Sequence, residues 1–483
     1  MLKKVLAIVG FAAAVSAQTP GYPAEDRVPE LWQQPDLSFG FYSGYLPIAG
    51  TKKQYHYLAA LSRNNNATDP VIIWFNGGPG CSSMLGWAQE HGPYAMEDGA
   101  QNFTFNDWSW NNNANMFYIE SPANVGYSVC EDLAECQWTD ANSADDNLAA
   151  VLYLLQNKFT ALQNNDLYIS GESYAGIYVP QLMLRLDMYI NETKPTGKWV
   201  PNLKGMMVGN GVTNWKYDCT PAYFHMGYYH GLVSDELFNN INQNCDLSYV
   251  DAPNPPVLTA QCQTWLNKFN SLVTLVNVYD IFGKCYKNPS IHRKINGMKL
   301  QEVSDAAHEM SEVRGLTSDK YTPFLKSKNP LSVVPPCVYA EPILDYFNNQ
   351  TIKDAMHISP KAAAKWDLCA DAFNYTGAQN ATQWIYPILK GRYRMLKYSG
   401  DADGAVPTFG TQGWINELNW EVKEQWRPYY ITNMYGQQVA GYVEVRDGGF
   451  TFATVHGAGH MAPQFKRQPT YHAIFNWLNG QPL

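Results

Sequence analysis

The stretch that decides the fold is Leu167-Tyr-Ile-Ser-Gly-Glu-Ser-Tyr-Ala-Gly-Ile-Tyr-Val179. Its first part, Leu167 to Ser170, is short and apolar, which predicts a buried strand, and Tyr174 to Leu186 is a predicted helix. Only the tight turn Gly171-Glu172-Ser173 separates them. Such a turn holds a serine above the edge of a sheet as a candidate nucleophile, although Ala175 departs from the strict Gly-x-Ser-x-Gly pattern.

Further apolar runs on both sides of this stretch extend the alternation of strands and helices. Strands are predicted over Val71 to Phe75, Met116 to Glu120, Leu203 to Gly209, Tyr393 to Ser399 and Phe450 to Val455. Helices are predicted over Asp145 to Phe159 and Pro469 to Leu478. A β-α-β series of this kind favours a mostly parallel sheet with helices on both faces, so the expected fold class is α/β.

The alternation breaks in the middle of the chain. Between about Gly211 and Glu341 the sequence is irregular and leans to helix, and it holds five of the nine cysteines. We interpret this stretch as an insertion. We expect residues 18–211 and 344–483 to form one α/β domain, and residues 212–343 to form an inserted helical cap stapled by disulfides.

The N-terminus has the features of a secretory signal. Lys3 and Lys4 precede the apolar run Val5 to Val15, and Val15-Ser16-Ala17 is a small-residue cleavage pattern. The run has eleven residues, well short of the roughly 20 that span a bilayer. We therefore expect residues 1–17 to be a signal peptide, and the processed chain to have no membrane anchor.

Six Asn-x-Ser/Thr sequons become glycosylation candidates once the chain enters the secretory pathway. They are Asn66, Asn102, Asn191, Asn349, Asn374 and Asn380. The chain carries no KDEL-type retention signal. The expected destination is a lysosome, a vacuole or the extracellular medium.

Composition narrows the class of partner. The chain has 483 residues, of which 46% are apolar and 16% charged, so it can bury a large core. Its 34 Lys and Arg against 43 Asp and Glu give a net charge of −9, and no basic run occurs. A surface for nucleic acid or anionic membrane is therefore not expected, and the partners should be small molecules or peptides.

A serine nucleophile needs a base and an orienting carboxylate, which should follow it in the order Ser, Asp, His. After the strand Tyr393 to Ser399 come Asp401 and Asp403, and after Phe450 to Val455 comes His460. These positions at the carboxyl ends of strands are where open α/β sheets place their sites. The residues alone do not decide between the two aspartates. We interpret the nearby His456 as structural.

The turn Asn76-Gly77-Gly78-Pro79-Gly80-Cys81 follows a strand and lets backbone N–H groups approach a ligand closely. A phosphate site is excluded because no Gly-Lys-Ser/Thr follows. We expect an oxyanion hole made by the N–H groups of Gly78 and Tyr174. Closely spaced Cys and His ligand groups and a His-Glu-x-x-His motif are absent from the sequence, so neither a metal nor another cofactor is expected.

Taken together, the motifs resemble those of the serine carboxypeptidases, over nearly the whole chain. The motifs are Trp74 to Ser83, Glu90-His91-Gly92-Pro93, Glu120-Ser121-Pro122, Gly171 to Gly176, Gly209-Asn210-Gly211, Gly400 to Asp403 and Gly459 to Pro463. The resemblance implies an α/β-hydrolase fold and selects Asp403 as the aspartate of a Ser173, Asp403, His460 triad. It also implies that a substrate carboxylate binds at Asn76, Glu90 and Glu172 beside Trp74, and that Met461 lines the leaving-group side.

The nine cysteines predict disulfides plus one free thiol, and spacing does not give their connectivity. Cys130 and Cys136 are close enough to close a small loop. The resemblance implies the pairs Cys81–Cys337, Cys219–Cys285 and Cys245–Cys262, with Cys369 free. A local departure is His91, where the family often has Leu.

The resemblance implies an enzyme that releases single amino acids from the C-termini of peptides or proteins. Two carboxyl groups held close cannot both ionise easily, so one of Glu90 and Glu172 stays protonated at acidic pH and can donate to the substrate carboxylate. An acyltransferase on the same scaffold and a catalytically inactive binding protein are the alternatives. The intact Ser173, Asp403 and His460 argue against the second.

Overall fold

The computed structural model describes residues 20–97, 100–286, 337–338, 340–370 and 374–483. The signal peptide expected over residues 1–17 lies outside them. The strands, in chain order, are β1 Phe41–Pro47, β2 Lys53–Ala60, β3 Val71–Phe75, β4 Tyr94–Ala95, β5 Thr104–Phe105, β6 Asn115–Ile119, β7 Val129–Cys130, β8 Trp138–Thr139, β9 Leu167–Glu172, β10 Leu203–Gly209, β11 Tyr375–Thr376, β12 Arg394–Gly400, β13 Val422–Asn433, β14 Gly436–Arg446 and β15 Phe450–Val455.

The α-helices occupy the connections between these strands. They are α1 Asp140–Tyr153, α2 Ala175–Thr193, α3 Thr220–Tyr229, α4 Asp235–Asn244, α5 Ala260–Val273, α6 Glu341–Asn348, α7 Gln350–Ala355, α8 Ile385–Leu389, α9 Thr408–Glu417, α10 Ala462–Phe465 and α11 Arg467–Leu478. The predicted helix Asp145 to Phe159 starts earlier than expected. Thr139 caps it, because its side chain accepts from Asn142 N while the Asn142 side chain accepts from Thr139 N.

The main sheet has eleven strands in the order β1-β2-β6-β3-β9-β10-β12-β15-β14-β13, with β7 paired to β2. Its six central strands, β6 to β15 in that order, run parallel, and antiparallel strands flank them on both sides. The α/β fold with a mostly parallel sheet is therefore confirmed. The predicted strands at 71–75, 203–209 and 450–455 have the bounds that the sequence indicates.

Helices cover both faces of the sheet, and the side chains of β3 pack into two apolar clusters, one on each face. Val71, Ile73 and Phe75 pack in one apolar cluster with α1, α2, α8 and α9. Ile72 and Trp74 pack in a second cluster with α6, α7 and α11. Because successive side chains of a strand point to opposite faces, a strand buried on both faces has a nearly continuous apolar sequence. This is why Val71–Phe75 lacks polar alternation.

The next three elements after β10 in the described part of the chain are helices. Helices α3, α4 and α5 pack on one another in a third apolar cluster built around Phe224, Leu237, Ile241 and Phe269. These helices thus have their own small core. The boundaries 212 and 343 of the expected cap stay a prediction, and residues 287–336 lie outside the described part of the chain.

The disulfides differ in part from the expected set. The structure contains Cys130–Cys136 and Cys245–Cys262 as expected, but it pairs Cys81 with Cys369 and Cys285 with Cys337. The expected pairs Cys81–Cys337 and Cys219–Cys285 are therefore wrong in this structure. Cys219, not Cys369, is the free cysteine among the described residues.

The physical reason is that residues 368–370 run beside the turn from Asn76 to Cys81. Cys81 and Cys369 form an antiparallel β-bridge, flanked by hydrogen bonds from Ser82 N to Leu368 O (2.8 Å) and from Ala370 N to Gly80 O (2.9 Å). A backbone bridge brings the two cysteines opposite each other. A second bridge, between Tyr286 and Cys337, likewise places Cys337 at the end of the helical insertion beside Cys285.

The structure also shows the exposure of the predicted glycosylation sites and the disulfides of the chain. Of the six sequon asparagines, Asn66 is half-buried, and the other five are exposed. Four disulfides fit a chain that matures in an oxidising compartment. Among the described helices, none combines the length and apolar character that crossing a bilayer requires.

Candidate active site

Three loops meet at the carboxyl ends of neighbouring parallel strands. Ser173 follows β9, Asp403 follows β12, and His460 lies five residues beyond β15. Since β9, β10, β12 and β15 are adjacent and parallel, the loops after them lie along one edge of the sheet. The topology alone therefore collects residues that are up to 287 positions apart in the chain.

Ser173 sits on a strained turn between β9 and α2. Its φ of +61° lies in the left-handed region that a residue with a side chain rarely adopts. The turn packs tightly against the loop after β3, because a Cβ atom at Gly77 would lie 2.3 Å from Tyr174 N and 2.7 Å from Ser173 Cβ. Glycine is thus required at position 77. The structure places the serine as the sequence pattern predicts.

His460 and Asp403 form a buried pair. The Nδ1 atom of His460 lies 2.8 Å from Oδ2 of Asp403, and both residues are almost fully buried. The Asp403 carboxylate also accepts hydrogen bonds from Ala405 N (2.7 Å) and Val406 N (3.1 Å). These contacts hold the carboxylate and leave the other ring nitrogen of His460 for a proton transfer.

The other candidate aspartate has a different partner. Asp401 accepts from His456 Nδ1 (2.8 Å) and from Gly457 N (2.6 Å), at a solvent-exposed position. Asp403, not Asp401, therefore contacts the buried histidine. The structural interpretation of His456 agrees with this contact.

Ser173 and His460 open into the same small cavity of about 60 Å³. Gly78 lines this cavity as well, with a φ of +113° that only glycine adopts readily. Tyr174 N lies beside Gly77, next to the nucleophile turn. A serine and a histidine that share one cavity with a glycine turn are the parts that acyl transfer requires.

A second group of polar residues lines the same cavity. Asn76 donates through Nδ2 to Oε1 of Glu90 (3.1 Å) and to Oε1 of Glu172 (2.9 Å). Its amide oxygen accepts from Trp74 Nε1 (2.9 Å) and Gly86 N (3.0 Å). Because both donors fix that oxygen, the NH₂ group of Asn76 must face the two carboxyl groups.

Glu90 and Glu172 are buried side by side on the NH₂ group of Asn76, and two carboxyl groups held so close cannot both ionise easily. Burial raises the pKa of Glu90 to about 7, against the hydrogen bonds from Asn76 and Glu172. Burial and the neighbouring Glu90 raise the pKa of Glu172 well above its usual range. The pair therefore holds at least one proton at mildly acidic pH and is a donor there.

The remaining wall of the cavity is mostly apolar. It includes Leu85, Val338, Leu368, Met461 and the disulfide at Cys81. Each sequence-predicted site residue thus lies at this cavity or against a residue that lines it, including Trp74 behind Asn76.

Sequence reasoning gave no role to two residues that contact the pair of His460 and Asp403. Asn210 donates from Nδ2 to Oδ2 of Asp403 (2.8 Å), and Tyr279 accepts from His460 N through its carbonyl (2.6 Å). The Tyr279 ring also packs on His460, with 5.3 Å between centroids. The motif Gly209-Asn210-Gly211 was a signal for the first, whereas no sequence pattern marks Tyr279.

Comparisons with known proteins identify the family of the chain. The family profile described as serine carboxypeptidase matches residues 29–480. Serine carboxypeptidase 1 of Hordeum vulgare is 32% identical, with 98% of this chain and 94% of the relative covered, and the lysosomal protective protein of Mus musculus is 31% identical, with 97% and 96% covered. The crystal structure of Kex1(Δ)p, a prohormone-processing carboxypeptidase from Saccharomyces cerevisiae, shares the fold with a TM-score of 0.66, at 18% identity and 94% coverage of both chains. The chain therefore belongs to the serine carboxypeptidase family.

Proposed function

We propose that this serine carboxypeptidase hydrolyses the C-terminal peptide bond of peptides and releases single amino acids at acidic pH. One observation carries the proposal. The protonated carboxyl pair of Glu90 and Glu172, held by Asn76, lines the same cavity as Ser173 and His460. A binding site for a free carboxylate beside the nucleophile selects the last peptide bond, because the free carboxylate belongs to the C-terminal residue.

The reaction begins with attack on the scissile carbonyl. Ser173 Oγ bonds to the carbonyl carbon while His460 accepts the serine proton, and Asp403 stabilises the imidazolium through its contact with Nδ1. The N–H groups of Gly78 and Tyr174 stabilise the negative oxygen of the tetrahedral intermediate. His460 then protonates the departing amine, and the C-terminal amino acid leaves.

Water completes the cycle. His460 takes a proton from a water molecule, which attacks the acyl-enzyme, and the returned proton restores Ser173. Binding of the substrate carboxylate uses a hydrogen bond from the protonated member of the carboxyl pair, and Asn76 holds that pair in place through its two N–H groups. Met461, Leu85 and Leu368 offer apolar surface to the departing residue.

We place the protein in the secretory pathway, with a lysosome, a vacuole or the extracellular medium as its destination. The four disulfides and the sequons support this route. An acidic compartment would keep the carboxyl pair protonated.

The test compares two substrates that differ only at the C-terminus. An N-blocked dipeptide with a free carboxylate and the matching dipeptide amide are incubated at pH 5 with the enzyme and with Ser173→Ala, and the released product is quantified. We expect the free acid to be cleaved with a much lower KM than the amide, and Ser173→Ala to release nothing. Equal KM values for the two substrates would contradict the carboxylate grip. Transfer of the acyl group to an added alcohol in preference to water would favour an acyltransferase instead.

A further inference from the structure

Lys397 is a buried lysine that the hydrolytic mechanism does not use. It lies within β12, and its side chain is 1% exposed. Its Nζ atom donates to Gly211 O (2.6 Å) and to Thr213 Oγ1 (3.1 Å) and lies 5.4 Å from the centroid of the Trp414 ring. Burying an ammonium group costs free energy unless the group is paired and hydrogen-bonded. The groups that Lys397 contacts therefore show which part of the structure it stabilises.

Both acceptors of Lys397 belong to the segment Gly209–Thr213, which leaves the sheet after β10. Gly211 lies beyond the last residue of β10, where the sheet no longer supplies donors to its carbonyl. Lys397 supplies a donor at that point and also holds the hydroxyl of Thr213. A charged donor makes these hydrogen bonds stronger than neutral ones.

The same segment contacts two members of the triad. Gly209 O accepts from Ser173 N (3.2 Å), and Val212 N donates to Ser173 O (3.0 Å), so the nucleophile turn is held from both sides. Asn210 Nδ2 donates to Oδ2 of Asp403 (2.8 Å), the oxygen that contacts His460. The five residues of this segment thus include contacts to both Ser173 and Asp403 and hold the two in their relative position.

Asp218 fixes the far end of this segment. It is fully buried, and its Oδ2 accepts from Thr213 N (2.7 Å) and Asn214 N (2.9 Å). Burial raises the pKa of Asp218 to about 6 and lowers the pKa of Lys397 to about 7, while each charge favours the other. The two residues hold different groups of Thr213, Lys397 its hydroxyl and Asp218 its backbone N–H.

We propose that Lys397 is a positioning residue for catalysis, which acts by holding the Gly209–Thr213 segment so that Ser173 and Asp403 stay in register with His460. This inference rests on the proposed function, because it needs Ser173 to be the nucleophile. Lys397 lies outside the carboxylate grip, which is built from Asn76, Glu90 and Glu172. Its loss should therefore lower kcat and leave KM nearly unchanged.

The experiment starts with Lys397→Met, which keeps the aliphatic length and removes the donor. We expect kcat for a free-acid dipeptide at pH 5 to fall about 10- to 100-fold, since small displacements of reacting groups cost that much, with KM within about twofold. The rate at which a serine-directed phosphonate labels Ser173 should fall in parallel.

Lys53→Met is the matched control for lost stability. Lys53 is also buried, at 7% exposure, and its Nζ contacts Asp146 Oδ2 at 2.7 Å, away from the triad segments. This variant should lower the melting temperature and keep kcat at the wild-type value when both are assayed well below their melting temperatures. An equal fall in kcat for Lys53→Met would overturn the proposal.

The double variant Lys397→Met/Asp218→Asn tests whether Lys397 positions the Gly209–Thr213 segment or only balances the charge of Asp218. It removes both buried charges, so its melting temperature should exceed that of Lys397→Met. If Lys397 only balances Asp218, kcat recovers together with the melting temperature, and the proposal is overturned. If Lys397 positions the segment, kcat stays low in the more stable double variant. The double variant also carries the test if Lys397→Met alone does not fold.

The two proposals fail in different ways. A wild-type enzyme that releases no amino acid from free-acid peptides contradicts the proposed function. An active wild-type enzyme with an equally active Lys397→Met variant contradicts only the role of Lys397.

Discussion

Glu172 accepts a hydrogen bond of 2.9 Å from Asn76 and is also the residue directly before Ser173. The group that we propose as a partner of the substrate carboxylate and the nucleophile are therefore neighbours on one turn. Under this proposal, the adjacency leaves room for about one residue between the C-terminal carboxylate and the attacked carbonyl.

The nucleophile gives the first prediction. A serine-directed organophosphonate should label Ser173 alone, because its turn is the one that opens into the cavity with His460. Ser173→Ala should abolish labelling and turnover while circular dichroism and melting temperature stay close to the wild type. Peptide mapping by mass spectrometry identifies the labelled residue, and a label on another serine would contradict the assignment.

The two aspartates after β12 form a natural pair of variants. Asp403→Asn should lower kcat by about 10³- to 10⁴-fold, because the histidine loses its charged partner and its tautomer is no longer fixed. Asp401→Asn should change kcat by less than about threefold, since Asp401 contacts the exposed His456 instead. Steady-state kinetics on one peptide decides between them. A larger effect at Asp401 would reverse the assignment.

The carboxyl pair predicts the dependence of KM on pH. Burial raises the pKa of both carboxyl groups, to about 7 for Glu90, so the pair is protonated at pH 5 and Glu90 loses its proton as the pH rises through about 7. Each lost proton removes a donor and adds a negative charge facing the substrate carboxylate. KM for free-acid peptides should therefore rise toward neutral and alkaline pH.

Two controls isolate this effect from the titration of other groups. A peptide amide has no negative charge, so its KM should change less over the same range. Glu172→Gln provides a neutral donor at every pH and should flatten the rise for free-acid peptides, with some loss of kcat because position 172 adjoins Ser173. Parallel KM profiles for acid and amide peptides would show that the pair does not bind the carboxylate.

The disulfides give a prediction that needs no substrate. Digestion without reduction should yield linked peptides for Cys81–Cys369 and Cys285–Cys337, and for Cys130–Cys136 and Cys245–Cys262. Alkylation of the denatured, unreduced protein should modify one cysteine, Cys219. A peptide that links Cys81 to Cys337 would instead support the pairing expected from the family resemblance.

Much of the central fold was predictable because it depends on local patterns. The run 71–75 is apolar throughout and the runs 203–209 and 450–455 are mostly apolar, which is typical of strands covered on both faces, and they form β3, β10 and β15 with the predicted bounds. The long hairpin of β13 and β14 was missed. Its residues, such as Trp426 and Tyr430, mix exposed aromatic and polar side chains, so no clear alternation of burial marks it in the sequence.

By itself the sequence determined the nucleophile turn at Ser173, the order Ser, Asp, His, and the alternation that makes a parallel sheet. The turn and the strands depend on residues a few positions apart, where propensity and turn chemistry act, and the order Ser, Asp, His is read directly along the chain. Only the tertiary structure decided that Cys81 pairs with Cys369 and that Lys397 contacts the segment behind the triad, and it showed the contact between Asp403 and His460 that the family resemblance implies. These contacts join residues tens to hundreds of positions apart. Strand order and backbone bridges decide which of these residues meet, and neither can be predicted from short-range sequence patterns.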